Sequence, residues 1–333
     1  MLKHTERSLQ DSFQRQIRYL RISVTDRCNL RCRYCAPSAP ERIDRRQLLT
    51  LEEIHRLVRV ATRLGIHKVR LTGGEPLVRN GIVDLIGYLA RLNDLQDIAL
   101  TTNGTLLKRF GRPLKEAGLR RLNISLDTLD REKFRALTGV DLFDTVWEGI
   151  MTAAELGFAP IKINTVVMKG YNDDEIESLA QLSRRYPFHM RFIEYMPIGT
   201  RPDTVHAQFY PAARIRERLE AIGDLVPVEH AGFDGPAQRL RFRDGVGEIG
   251  LIASMSAHFC GTCNRLRLTS SGHLRPCLLS DEQVSILEPL RRGATDEELE
   301  TIFLGVAAIK KREHLLSFNG HCGVRGQMVN IGG

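Results

Sequence analysis

Short β-branched and apolar runs recur through the first 195 positions. Between them, apolar residues fall into the i, i+3, i+4 spacing of helices that cover one face. Residues 21–25 (RISVT), 67–72 (HKVRLT), 97–102 (DIALTT), 121–126 (RLNISL), 161–167 (IKINTVV) and 189–194 (HMRFIE) read as strands. The segment LTLEEIHRLVRVATRLG carries its own boundaries: Thr50 as N-cap, Glu53 at the capping-box position and Gly65 as the stop. Alternation of this kind without a break predicts a parallel α/β sheet, either a barrel or a doubly wound sheet. Polar and glycine residues follow the strands, in Thr72-Gly73-Gly74-Glu75, Thr101-Thr102-Asn103-Gly104 and Ser125-Leu126-Asp127. In a barrel those loops form the working face, so the chemistry is expected at one end.

After residue 195 the pattern changes. PIGTRPDTVH and EHAGFDGPAQ read as loops, LRFRD and EIGLIA as a hairpin or sheet edge, and two helices are expected near 280–291 and 296–308. Residues 1–195 are thus expected to form the βα unit and 196–333 an extension packed on it.

The composition is that of an ordinary soluble globular chain: 333 residues, 42% hydrophobic and 26% charged. The first twenty residues lack the apolar stretch of a signal peptide, and no apolar run is long enough to span a bilayer, so a cytoplasmic protein with no membrane association is expected. Seven cysteines in such a chain point to metal or redox chemistry rather than a disulfide framework. The net charge of +8 suits a polyanionic partner. The basic residues are scattered and aromatics are only 6%, which argues against a nucleic-acid stacking platform.

Six of the cysteines form two triplets. Cys28, Cys32 and Cys35 have C-x3-C-x2-C spacing just after the first strand. A structural zinc site closes with four ligands, and a redox C-x-x-C uses only Cys32 and Cys35. An iron–sulfur cluster held by three thiolates leaves one iron open to something that is not protein. Cys260, Cys263 and Cys277, in HFCGTCNRLRLTSSGHLRPC, repeat the count at C-x2-C-x13-C spacing. A zinc knuckle completed by His258, His273 or Cys322 and a second cluster with an open iron are both compatible with that spacing. Cys322 by itself reads as an incidental thiol. The alternation in Asn264-Arg265-Leu266-Arg267-Leu268 would send both guanidiniums to one face of a strand, where their forks suit phosphate.

With Tyr34 before the third cysteine, the first triplet resembles the signature of the radical S-adenosylmethionine superfamily. Gly73-Gly74-Glu75-Pro76 resembles that superfamily's loop for the methionine end of the cofactor, where Glu75 can accept from the ammonium. Adding Arg21 in RISVTDRCNLRC, RFIEYMPIG, MSAHFCGTCNRLRL and the terminal Gly332-Gly333, nearly the whole chain resembles the GTP 3′,8-cyclase family. Ala36 stands where members of that family often have Met.

The resemblance implies an incomplete (β/α)6 TIM-type barrel with a C-terminal extension carrying a second 4Fe–4S cluster. It implies two 4Fe–4S clusters, on Cys28, Cys32 and Cys35 and on Cys260, Cys263 and Cys277. S-adenosylmethionine would be held by Tyr34, Gly73, Gly74, Glu75, Ser125 and Met196. GTP would be held by Arg21, Arg70, Thr101, Lys162, Arg265, Leu266 and Arg267. Arg265, Arg267, Gly332 and Gly333 would take part in the reaction, the two glycines threading toward the active site. A 5′-deoxyadenosyl radical would take the 3′ hydrogen of GTP, and C3′ would attack C8 in the first step of molybdenum cofactor biosynthesis. An external flavodoxin- or ferredoxin-like electron donor and a downstream cyclic pyranopterin monophosphate synthase are the implied partners. No interface pattern stands out, and a homodimer is compatible with the sequence. The rival readings are a peptide- or RNA-modifying radical enzyme with two clusters, a zinc-stabilised nucleic-acid-binding module and an electron carrier.

Overall fold

A computed structural model describes residues 8–35, 43–199, 202–229, 235–314, 316, 324 and 327–332. Twelve strands are formed: β1 Tyr19–Ser23, β2 Lys68–Thr72, β3 Asp97–Thr102, β4 Arg121–Ser125, β5 Ile161–Val167, β6 Phe188–Glu194, β7 Leu225–Pro227, β8 Gln238–Phe242, β9 Glu248–Ile252, β10 Arg265–Leu268, β11 His273–Arg275 and β12 Val284–Ser285. β1 to β6 lie side by side, all parallel, in chain order. This is the open, incomplete barrel expected, with each strand within two residues of its sequence-read position.

The helices between the strands cover the outer face. Leu51–Arg63 is capped as its sequence requires, by Thr50 and Glu53 in a reciprocal capping box, and Gly65 at φ +90° ends it. Leu20, Ile22, Val69, Leu71, Leu100, Leu122, Ile124 and Ile163 point from the strands into this layer and are fully buried. The alternate positions on the same strands face the barrel interior and are largely polar. The core therefore sits outside the barrel, and the interior is left to chemistry.

The C-terminal part widens the sheet at both edges. β9 runs parallel beside β6 and carries the expected hairpin partner β8, while β10 runs parallel beside β1 and carries β11 and β12. Two expectations are corrected. Residues 202–206, read as loop, lie in the helix Pro202–Gln208, in which Pro takes the first helical position, where its missing N–H costs nothing. The helix expected over 280–291 is confined to Leu287–Arg291, because Val284–Ser285 pairs with β11 instead. Leu266, expected to hold substrate, is fully buried in the outer core, so its side chain does not face the barrel interior. The expected helix at 296–308 is present as Asp296–Ala308, with its own capping box. Among the described residues, no helix is long and apolar enough to cross a membrane.

Candidate functional site

The first cysteine triplet begins five residues after β1. Its approach is clamped to the glycine loop after β2: Gly74 N–H donates to Thr25 O at 2.8 Å and Glu75 N–H to Arg27 O at 2.7 Å. A Cβ on Gly73 would stand 2.5 Å from Thr25 O, and one on Gly74 2.3 Å from Arg27 O. Any side chain there would push the cysteine loop away. These glycines are required by the chain's own backbone.

Glu75 is fully buried. It accepts from Leu77 N (3.0 Å), Thr102 Oγ1 (2.8 Å) and Asn103 N (2.7 Å), tying the loop after β2 to the loop after β3. Burial pushes its carboxyl up to about 7 against those three donors. One acceptor position of its roughly four remains for an outside donor.

Within the triplet, Cys35 N donates to Cys32 O at 3.0 Å, and Asn103 Nδ2 lies 3.8 Å from Cys28 Sγ. Arg31 N and Arg33 N donate to Thr138 O and Leu137 O, fastening the loop to the helix Arg131–Thr138. Burial raises all three thiols, and Cys35 reaches about 12. Such a set holds thiolates only around a cationic centre, and an iron–sulfur core supplies one. Tyr34 donates to Asp127 Oδ2 at 2.7 Å and meets Tyr195 edge-on at 6.4 Å. Burial lifts Asp127 to about 6. Ser125 ends β4 and is half-buried.

The second triplet lines a cavity together with Arg21, Arg70, Met196, Arg265 and Arg267. Cys260 and Cys263 bracket a single helical turn, with Cys263 N donating to Cys260 O at 3.1 Å, and Cys277 follows β11. Lys310, 3% exposed, donates from Nζ to Pro276 O (2.6 Å) and Arg265 O (3.1 Å). Burial would raise the Cys263 thiol, but Arg265 and Lys310 outweigh it and hold it near 6. Of the expected zinc ligands, His273 Nδ1 is 3.1 Å from Ser271 Oγ and His258 is 3.5 Å from Glu313. Cys322 lies outside the described residues. Among the described residues, no three His, Cys, Asp or Glu side chains converge on a single-ion site.

Strand register explains the cations. Arg267, Arg21 and Arg70 stand opposite one another across β10, β1 and β2. The adjoining row holds Arg265, Tyr19, Lys68 and Asp97. Thr101, Asn123 and Lys162 form a row across β3, β4 and β5. Asp97 pairs with Lys68 at 3.0 Å and with Arg121. Lys162 is pushed down to about 6, by burial first and then by Arg191, Arg121, Arg70 and Lys68. Arg70 Nε and Thr101 Oγ1 are buried without a hydrogen-bond partner. Burying so much like charge is costly without an anion to answer it.

The C-terminal tail reaches the same place. The backbone of Val329 lowers the Cys35 thiol against its burial, and Gly332 O accepts from Arg267 Nη1 at 2.6 Å. Gly332 has φ +84°, and a Cβ there would come within 3.0 Å of Ser23 and Thr72 side chains at the ends of β1 and β2. Gly333 lies outside the described residues, as does Ala36.

The structure also brings in residues that sequence reasoning passed over. Lys310 and Asp127 are two of them. Glu194 is a third: it is fully buried and accepts from Ala212 N, Met255 N and Ser256 N, holding the segment that leads to Cys260. A glutamate ending a largely buried strand was the available signal, since a buried carboxylate must be answered.

Residues 22–183 match the model of the radical SAM superfamily, and residues 188–316 match that of Molybdenum Cofactor Synthesis C. The chain is 48% identical over 307 residues to the GTP 3′,8-cyclase of Moorella thermoacetica, covering 92% of this chain and 95% of that one. It is 45% identical over 328 residues to the GTP 3′,8-cyclase of Pelotomaculum thermopropionicum, covering 98% and 100%. Among solved structures, Streptococcus suis SuiB bound to S-adenosylmethionine shares the fold at a TM-score of 0.61 and 19% identity, over 81% of this chain and 63% of SuiB. Native anSMEcpe with bound AdoMet does so at a TM-score of 0.57 and 17% identity, over 86% and 84%. The chain belongs to the GTP 3′,8-cyclase family of the radical SAM superfamily.

Proposed function

We propose that this chain converts GTP into (8S)-3′,8-cyclo-7,8-dihydroguanosine 5′-triphosphate in the cytoplasm. That is the first step of molybdenum cofactor biosynthesis, and the product passes to cyclic pyranopterin monophosphate synthase. The observation that carries the substrate is the cavity shared by Arg21, Arg70, Arg265, Arg267 and the second thiol triplet. A purine triphosphate offers ligating heteroatoms at one end and charge for the guanidiniums at the other.

Cys28, Cys32 and Cys35 fit one 4Fe–4S cluster and Cys260, Cys263 and Cys277 a second, each triplet leaving one iron open. Bound at the first of these, S-adenosylmethionine supplies the radical chemistry that removes the 3′ hydrogen. Residues 1–195 furnish the thiols of the first cluster and 196–333 those of the second. Tyr34, Gly73, Gly74, Glu75, Ser125 and Met196 seat the cofactor, with Glu75 using its remaining acceptor position. Arg21, Arg70 and Thr101 hold the phosphates, and Lys162 regains its proton beside them. Leu266 contributes through backbone alone. Arg265 and Arg267 orient the nucleotide against the second triplet, and Gly332 and Gly333 close the passage between the two triplets, excluding water and stray hydrogen donors.

Anaerobic reconstitution followed by incubation with reductant, S-adenosylmethionine and GTP tests this reading. About eight irons per chain and release of 5′-deoxyadenosine with the cyclised nucleotide are expected. Zinc in place of iron, or 5′-deoxyadenosine released with a peptide or RNA but not with GTP, would overturn it.

A further inference from the structure

One charged face is not used by the chemistry above. Arg31 and Arg33 fill the two gaps of the first cysteine motif, and both are exposed. Neither forms an ion pair among the described residues. Their backbone bonds to Thr138 and Leu137 fix the loop against the helix Arg131–Thr138, so the two guanidiniums share a shallow depression with Arg135, Glu132 and Gly139. Arg135 is 64% exposed, and its contact with Glu132 is a loose 3.9 Å. Among the described residues the face therefore presents three arginines against one carboxylate, beside the loop that carries Cys28, Cys32 and Cys35. Arginines carried on a loop tethered by its backbone, and unpaired among the described residues, fit a protein surface of opposite charge better than they serve folding.

We propose that this face docks an acidic single-electron carrier protein, which delivers its electron to the first cluster. The proposal rests on the reading of Cys28, Cys32 and Cys35 as cluster ligands. One electron leaves the carrier and one arrives at the cluster, and no bond forms or breaks. The contact is small and charge-steered, as transient redox encounters are.

The test uses the full-length reconstituted protein and reduced flavodoxin in stopped flow. Neutralising the loop with the double change Arg31→Gln, Arg33→Gln should lower the bimolecular rate of cluster reduction about 10-fold at low salt and flatten its salt dependence. Reduction by methyl viologen radical, a small cation, should not slow. Arg135→Glu, remote from the cysteines, should slow the flavodoxin reaction even where the loop variant holds its cluster poorly. Equal flavodoxin rates in wild type and in Arg135→Glu would overturn the docking face. A wild-type protein that viologen cannot reduce would overturn the cluster reading beneath it.

Discussion

Lys162 concentrates the electrostatic problem of the chamber in one side chain. Burial and four neighbouring cations hold it near 6, so at pH 7.5 it is mostly neutral while the site is empty. A bound triphosphate favours the charged form and raises that value. Nucleotide binding should therefore take up a proton near pH 7, and affinity should weaken as pH rises through the raised, bound-state value. Calorimetry in buffers of different ionisation enthalpy reads this directly. A binding heat independent of buffer would contradict it, and Lys162→Met should abolish the uptake and weaken binding about 10-fold or more. The same shift acts on the empty fold: the unfolded chain holds the lysine proton up to its ordinary value, so stability should rise with pH between about 6 and 10.5. Lys310 is the counterpart at the second triplet, a buried cation donating to carbonyls on either side of it. Lys310→Met should lower the midpoint potential of the second cluster, and Lys310→Arg should largely restore it. A redox titration followed by electron paramagnetic resonance decides the matter, and an unchanged potential in both variants would remove Lys310 from cluster tuning.

At the scale of elements, the contact between the first cysteine loop and the glycine loop is the tightest point. Gly74→Ala would set a methyl against Arg27 O, so either the loop yields or the strand ends separate. The expected outcome is a stability loss of about 1–3 kcal/mol together with loss of the first cluster. Iron should fall toward four per chain while the second site stays loaded; full iron content would show that the loop tolerates the side chain. These elements were legible to different depths. β1 to β6 could be read because each is a short apolar run between turn signals, and Thr50 and Glu53 wrote the start of their helix into four residues. Which strands pair could not be read. Arg267 and Arg21 are far apart in sequence, and only the parallel pairing of β10 with β1 makes them neighbours. The side-chain face of Leu266 was available from the alternation that placed Arg265 and Arg267. The helix Pro202–Gln208 begins inside a stretch read as loop, on a proline that suits a first turn.

For the whole molecule, the last residues carry the sharpest prediction. Removing Gly332 and Gly333 should leave both clusters and nucleotide affinity in place and abolish cyclisation, with 5′-deoxyadenosine release uncoupled from product. Normal cyclisation by the truncated chain would relegate the tail to packing. The position of that tail also bears on how the protein comes into being. β1, made first, waits for β10 as its outer neighbour, and the gap at the ends of β1 and β2 is filled by Gly332. Because a ribosome makes residue 332 after every strand of the sheet, the strands can assemble before the residue that closes this chamber exists. The barrel can fold during translation, but the contact of Arg267 with Gly332 forms only once that late residue has been made and has returned to the ends of β1 and β2.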